Sequence, residues 1–413
     1  MGGKLGINGL GRIGKLVLWR NVAERNFDEI VVNTGRAAGT SLNDIAYYIE
    51  RDSTYGSLKK YLYGFKDHTA ITDVDDVSGT MTINGVKITV LRKSRNPREI
   101  GWKDHGVEIV VDTSGAFVDP TKPPDDPKGS LRGHLEAGAK KIILSAPFKI
   151  KDKSKPMPDD AVTTVMGINE HDYNPARHKL ISAASCTTTC LAHMFKPLIN
   201  KIGPKKILTA SMATVHAATG TQEVLDRLAK SGDKDLRKNR SIFNNIILTT
   251  TGAAETLALV IPEMSQIGFI AESVRIPTTT GSLVILVVNI QEDPDRILID
   301  RDYINGIYKE AALNSQHRLV VYSDEQNVSS DIISMPLAAV VIEGHETHTR
   351  TAEITFDAGR LTGVKKELLD GLKDNMVRIP LTQTVIYGWY DNEMGSYVNA
   401  LSMLTKMIAE DSS

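Results

Sequence analysis

Two patterns of apolar and polar positions divide this chain. In the first half, short apolar runs alternate with stretches of helical spacing. Lys4 to Asn8 and Glu29 to Asn33 are short strands, and Lys15 to Ala23 between them carries a helix pattern. Met81 to Ile88 alternates around Asn84-Gly85, the mark of a hairpin. Val107 to Asp112 is continuously apolar, as suits a parallel strand covered on both faces. Leu131 to Ala139 reads as a helix and Lys141 to Ala146 as another strand. Pro120 to Gly129, rich in Pro, Asp and Lys, reads as an exposed loop.

The second half differs. Ile207 to Thr219, Ser273 to Pro277, Ser282 to Gln291, Arg318 to Tyr322, Ala338 to Glu343 and Thr349 to Phe356 are strand-like, mostly in pairs with helices between. Thr384 to Tyr390 is a further strand, and Asn392 to Ala409 reads as a closing helix. The pattern predicts an α/β dinucleotide-binding (Rossmann) domain followed by an α+β domain with a mixed sheet. The expected division is residues 1–185 with the C-terminal helix 392–413 packed back onto them, and residues 186–391.

Composition narrows the function classes. The 413 residues carry a formal net charge of −1, with 41% hydrophobic and 24% charged residues. That balance is ordinary for a globular protein and suggests neither nucleic acid nor an anionic membrane as a main partner. No apolar run approaches the roughly 20 residues of a membrane span. Only two cysteines occur, four apart, so neither a disulfide framework nor a zinc cluster is expected. A cytoplasmic location is the simplest expectation.

Candidate chemistry begins at the N-terminus. Lys4 to Asn8 runs into Gly9-Leu10-Gly11-Arg12-Ile13-Gly14 and then a helix. Glycines there permit a tight turn and a close approach to a pyrophosphate on the helix N-terminus. The apolar strand Val107 to Asp112 ends in Thr113-Ser114-Gly115, a second small loop placed to touch a cofactor.

Cys186 stands in Ser182-Ala183-Ala184-Ser185-Cys186-Thr187-Thr188-Thr189-Cys190. A strand precedes it, and Leu191 to Ile202 reads as a helix. Backbone N–H groups and the dipole at a helix N-terminus favour a thiolate. Ser185, Thr187 and the threonines after it are small hydroxyl donors suited to an oxyanion. The stretch points to a covalent nucleophile, and a buried apolar cysteine is the plain alternative. A thiolate needs a base. His216 is one candidate among ten histidines, and His345 and His348 are rivals that read as surface or interface residues. Arg275 interrupts an apolar strand, and a buried arginine needs an anionic partner. Arg237 lies in a basic turn that solvent alone explains. Thr249 to Ala254 suits an anion cradle or an ordinary helix cap.

Together these stretches resemble the phosphorylating glyceraldehyde-3-phosphate dehydrogenases. The resemblance runs nearly end to end, through Gly6 to Gly14, Asp52-Ser53-Thr54-Tyr55-Gly56, Ser145-Ala146-Pro147, Ser185-Cys186-Thr187-Thr188, Thr251-Gly252-Ala253-Ala254 and Trp389-Tyr390-Asp391-Asn392-Glu393. It implies phosphorylating oxidation of a sugar-phosphate aldehyde through a thiohemiacetal and thioester on Cys186, with His216 as base. Thr219, Arg237 and Arg275 match the family's substrate-phosphate site. Ser185, Thr251 and Gly252 match its inorganic-phosphate site, with Thr187 beside them. Asn8, Gly9, Gly11, Arg12, Ile13, Ser114, Gly115 and Ser145 fall on the cofactor side, and Asn392 matches the residue that holds the nicotinamide carboxamide. A homotetramer is also implied, and no metal. Alternatives are a dehydrogenase of another sugar-phosphate aldehyde such as erythrose 4-phosphate, a semialdehyde dehydrogenase, and a catalytically silent binding protein.

The chain also departs from that family. Ala183 and Thr189 stand where it usually has Asn, and Met394-Gly395-Ser396-Tyr397 where it usually has Trp-Gly-Tyr. Pro120 to Gly129 and Asp357 to Val377 look longer. Asn33 is followed by Thr34-Gly35-Arg36, with no carboxylate to hold the adenosine ribose and repel a 2′-phosphate. Arg36 is a cation suited to that phosphate. The cofactor is therefore expected to be NAD or NADP, with NADP use favoured. Cys190, one helical turn beyond Cys186, reads as a buried helix residue, with oxidative pairing as the alternative.

Overall fold

A computed structural model describes residues 3–411 apart from 93, 293–297, 316, 334, 336–337, 361, 363–364 and 372–374. Two large sheets carry the chain. The first has nine strands in the order Ala161–Thr163, Leu180–Ser182, Lys141–Leu144, Ile109–Asp112, Lys4–Asn8, Glu29–Asn33, Val86–Leu91, Thr80–Ile83 and Ile71–Asp75. Neighbours are parallel as far as Val86–Leu91, and the last two strands return antiparallel. Strand order reverses on either side of Lys4–Asn8, and a doubly wound sheet binds its ligand in the crevice there.

Local chemistry accounts for the turns. Asn84 and Gly85 both take positive φ, 50° and 81°, which matches the right-handed twist of the flanking strands. The helix at Leu131–Glu136 stops three residues short of the expected Ala139, because Gly138 takes φ 108°. The N-terminal helix begins at Arg12, earlier than expected, directly on the glycine loop.

The second sheet has eight strands. Its main path runs Ile247–Thr249, Gly268–Ile276, Ile207–Ala217, Ser282–Gln291, Met376–Tyr390, Val340–Glu343, Val320–Ser323, and His348–Asp357 pairs with Met376–Tyr390. Parallel and antiparallel pairs are mixed. One face packs on the Cys186–Ile202 helix, whose Leu191, Met194, Phe195 and Leu198 join Leu286, Val288 and Ile386 in one apolar cluster.

The chain end is not the single helix expected from Asn392. A π turn at Met394–Val398 precedes the α-helix Asn399–Asp411. The Asp391 carboxylate accepts the Glu393 and Gly395 N–H groups, and the Val398 N–H donates to the Glu393 carbonyl five residues back. That capture winds the first turn wide. Val398, Leu401, Leu404 and Ile408 then pack with Leu16 and Trp19 of the first helix. Residues 412–413 of the expected helix, and residues 361, 363–364 and 372–374 of the segment Asp357 to Val377, lie outside the described residues.

Candidate active site

A sharp bend presents Cys186. The Leu180–Ser182 strand ends, and fully buried Ala184 takes φ 55°. An alanine in the left-handed region costs on the order of 1–2 kcal/mol, and such strain gathers at functional turns. Ser185 then caps the helix, its Oγ accepting the Thr188 N–H at 3.2 Å. Cys186 is thus the first helical residue, five earlier than the apolar spacing suggested. Its side chain is partly exposed, and Sγ lies 3.4 Å from His216 Nε2.

Sheet pairing delivers the histidine. His216 is the penultimate residue of Ile207–Ala217 and lies opposite Arg275 of Gly268–Ile276, which itself lies opposite Ile247. The three stand abreast on adjacent strands. The Arg275 guanidinium donates to the Ala217 carbonyl at 3.0 Å, with the same nitrogen against His216 Nδ1. The imidazole sits edge-on to Tyr390, centroids 5.9 Å apart. The Tyr390 hydroxyl is held by Thr187 and Thr214 at 3.0 and 2.8 Å. His345 and His348 are exposed, beside Gln326 and Glu346, and no contact among the described residues ties either to Cys186.

Burial sets the charges. It pushes the His216 imidazole down to about 3, with help from the Arg275 cation. His216 is therefore neutral near pH 7, as a base must be. Burial also pushes the Cys186 thiol up, and Arg275 and Thr187 oppose this without reversing it. The helix N-terminus alone had suggested the opposite direction; desolvation of the charged form outweighs it here. Among the described residues Arg275 Nε is buried without a hydrogen-bond partner, which is how a guanidinium awaiting an anion presents itself.

An Arg275→Ala variant follows from these directions. Removing the cation raises both values, since it favours the thiolate and disfavours the imidazolium. The pH profile of Cys186 alkylation by iodoacetamide should move to higher pH. A profile superimposable on wild type contradicts this account of the charges.

The other phosphate candidates divide. Thr219 lies two residues beyond Ala217, its hydroxyl against Gln222. Thr251 Oγ1 accepts the Ala253 N–H at the start of the Ala253–Val260 helix, with Gly252 as its cap. Arg237 stands on an exposed turn, paired with Asp235 at 2.7 Å, and no contact among the described residues ties it to Cys186 or His216. The Thr187 hydroxyl lies between the Tyr390 hydroxyl, at 3.0 Å, and the Cys186 thiol.

At the first sheet, each glycine of the loop has a distinct reason. Gly9 takes φ 99°, and a Cβ on Gly14 would stand 1.9 Å from the Gly9 carbonyl oxygen. A Cβ on Gly11 would meet nothing among the described residues within 4 Å, so the loop there is open to a close approach from outside the chain. Free N–H groups of the first helical turn, from Arg12 and Ile13, point the same way. These residues fit a dinucleotide pyrophosphate.

Several side chains on this edge are committed elsewhere. The Arg12 guanidinium pairs with Asp52 and Glu393, so its charge is already balanced by carboxylates. Against burial, Lys15 and Arg12 bring the Asp52 carboxyl down to about 2. Asn8 gives its amide to Asp112 and its carbonyl to Asn33, so its side chain holds no ribose. Asn392 Oδ1 accepts from Thr280 and Ser282 at 3.0 and 2.9 Å, which leaves the amide nitrogen to donate the other way. Ser145 Oγ meets the Tyr397 hydroxyl. The Thr34 hydroxyl donates to the Arg36 carbonyl. Arg36 itself is exposed and pairs with no carboxylate among the described residues. A cavity of about 510 Å³ lies elsewhere, lined by His193, Lys201, Glu310 and neighbours, and holds neither Cys186 nor His216.

Comparison with known proteins agrees with this geometry. Residues 3–120 match the glyceraldehyde 3-phosphate dehydrogenase NAD-binding domain, and residues 185–356 match the C-terminal domain of the same enzymes. The chain belongs to the glyceraldehyde-3-phosphate dehydrogenase family. Relatives include glyceraldehyde-3-phosphate dehydrogenase of Streptomyces coelicolor, 35% identical over 98% of both chains. Glyceraldehyde-3-phosphate dehydrogenase 2 of Bacillus subtilis is 32% identical over 98% of this chain and 97% of its own. Glyceraldehyde-3-phosphate dehydrogenase of Geobacillus stearothermophilus is 33% identical over 95% of this chain and 94% of its own.

Within this family member, the residues that pattern reading missed act from behind. Thr214 and Tyr390 brace the imidazole, and nothing in their local sequence says so. Asp391 accepts from Tyr55 and Thr280 beside Asn392. Arg95 packs beside Gly35 and is exposed, a second cation near Arg36. Among the described residues, no cluster of His, Cys, Asp and Glu could hold a metal, and no helix is long and apolar enough to cross a membrane.

Proposed function

We propose that this chain oxidises glyceraldehyde 3-phosphate to 1,3-bisphosphoglycerate with NAD or NADP and inorganic phosphate. The observation that carries the reading is Cys186 Sγ at 3.4 Å from His216 Nε2, beside the half-buried Arg275, in a member of this family. Residues 1–185 with 392–413 hold the dinucleotide, and 186–391 hold the substrate, in an expected cytoplasmic setting. Gly9, Gly11, the Arg12 and Ile13 backbone, Ser114, Gly115, Ser145 and Asn392 line the dinucleotide. When bound, the nicotinamide supplies the hydride acceptor.

The chain's own residues do the rest. Neutral His216 takes the Cys186 proton as sulfur attacks the aldehyde carbon, returns it to the developing alkoxide to give the thiohemiacetal hydroxyl, and takes it back from that hydroxyl as the carbon is oxidised. The Cys186 backbone N–H faces the developing oxyanion. Arg275 and Thr219 take the substrate phosphate, with Arg237 brought in by rearrangement of its turn. Ser185, Thr251 and Gly252 take the phosphate that attacks the thioester. Steady-state assays should show kcat/KM for glyceraldehyde 3-phosphate above that for erythrose 4-phosphate. The reverse order sinks the substrate assignment, and no turnover of either favours a silent protein.

NADP use rests on Thr34-Gly35-Arg36, reinforced by Arg95. Two exposed cations, Arg36 and Arg95, and the missing carboxylate after Asn33 support it, since a 2′-phosphate pairs with cations. Arg36→Ala should raise the KM for NADP while barely changing that for NAD. A wild-type protein that turns over NAD alone would remove this argument.

The homotetramer also belongs to this reading. Leu225, Leu228, Phe243 and Ile246 are 58–91% exposed on one segment of the second domain, an apolar surface suited to a second copy. Light scattering should give four times the 45.2 kDa chain mass. A mass of one chain refutes it.

A further inference from the structure

A chain of buried polar groups runs beneath the glycine loop and touches neither Cys186 nor His216. Asp112, fully buried, is the last residue of its strand, directly before Thr113-Ser114-Gly115. All four acceptor positions of its carboxylate are used. Oδ1 accepts the Ser114 N–H at 2.9 Å and the Ser114 hydroxyl at 2.6 Å. Oδ2 accepts the Asn8 amide at 2.8 Å and His134 Nε2 at 2.9 Å. Burial pushes the carboxyl up, and the donors of His134, Ser114 and Asn8 bring it below the usual range.

The far end of the chain fixes the tautomer. His134 is also fully buried, and its Nδ1 lies 2.9 Å from Trp102 Nε1. An indole nitrogen can only donate. Nδ1 must therefore offer its lone pair, and Nε2 carries the hydrogen given to Asp112. At the near end, Asn8 passes the arrangement on, its carbonyl accepting from Asn33 at 2.9 Å. Thr113 closes the circuit by donating to the Gly9 carbonyl at 2.7 Å. Trp102, His134, Asp112, Asn8 and Asn33 thus join the ends of three adjacent strands and both loops at the crevice.

We propose that His134 and Asp112 are positioning residues for the dinucleotide. Trp102 sets the His134 tautomer, His134 orients the Asp112 carboxylate, and Asp112 holds the Ser114 loop and the Asn8 strand end in their binding shape. Neither side chain reaches the cofactor; they act through Ser114, Gly9 and the glycine turn. The inference rests on reading this edge as the dinucleotide site.

The test uses the full chain and isothermal titration with NAD and NADP. His134→Leu should raise both dissociation constants about tenfold, the loss expected when a hydrogen bond to a charged group is removed. His134→Gln, which can still donate to Asp112, should stay within about threefold of wild type. Cys186 alkylation by iodoacetamide, and kcat at saturating dinucleotide, should be unchanged in both. A folded His134→Leu protein with wild-type affinity overturns the proposal. A Gln variant as weak as the Leu variant overturns it too, by showing that ring volume and not the hydrogen bond matters. Should His134→Leu not fold, Trp102→Phe decides, since it removes the donor to His134 Nδ1 while keeping an aromatic ring there: affinity about threefold weaker supports the proposal and unchanged affinity overturns it. A wild type that binds neither dinucleotide instead overturns the site assignment itself.

Discussion

Cys186→Ala should abolish the phosphorylating oxidation and leave dinucleotide binding intact. No other nucleophile is available at this position. Cys190 is fully buried, with its sulfur against Met194 Sδ and the Gly388 carbonyl at 4.0 and 3.9 Å. Losing a covalent nucleophile typically costs at least about 10⁴-fold in kcat, because one step must then do the work of two. The alanine itself is tolerated, since the helix keeps its Ser185 cap and alanine is the best helix former. Thermal midpoint and titrated NAD affinity should match wild type, while turnover falls below detection. Residual turnover above about a thousandth of wild type would end the role given to Cys186.

His216→Asn should lower kcat by about 10²–10⁴-fold, the usual span of general acid–base catalysis. Asparagine keeps an amide near the Ala217 carbonyl and Arg275 but cannot take a proton. The loss therefore separates proton transfer from packing. The pH dependence has a definite sign. In the free protein His216 is depressed to about 3, so acid should not reduce reactivity through this group until well below pH 6. The thiol is raised, so Cys186 alkylation should climb through the alkaline range. The asparagine variant should lose turnover across the whole range rather than shift its profile. If instead kcat is kept and only the profile moves, His216 tunes the thiol and another group is the base.

The Cys190 side chain bears on oxidation as well. Its sulfur lies against Met194 Sδ and the Gly388 carbonyl, which favours the buried helix residue over oxidative pairing. Peroxide inactivation should be equally irreversible in wild type and Cys190→Ser.

Some features of this protein were settled by the amino-acid sequence alone. They are the ones whose cause is local. Asn84-Gly85 makes a hairpin because both residues tolerate positive φ, and the Gly9 turn follows for the same reason. Glu29–Asn33 and Ser282–Gln291 are strands over the very residues their apolar pattern marks. The order of motifs likewise sufficed to indicate the family. Other features needed the tertiary structure. Among ten histidines, nothing near residue 216 distinguishes it from 345 or 348. Sheet register does so, by laying His216 beside Arg275, 59 residues away, and opposite Cys186, 30 residues back. The commitments of Arg12 to Asp52 and Glu393, and of Asn8 to Asp112, span 40, 381 and 104 residues. The direction of the Cys186 shift was also beyond local reading. A helix N-terminus stabilises a thiolate within one turn, but desolvation depends on every side chain folded over the sulfur. Those neighbours come from distant strands, and only packing assembles them.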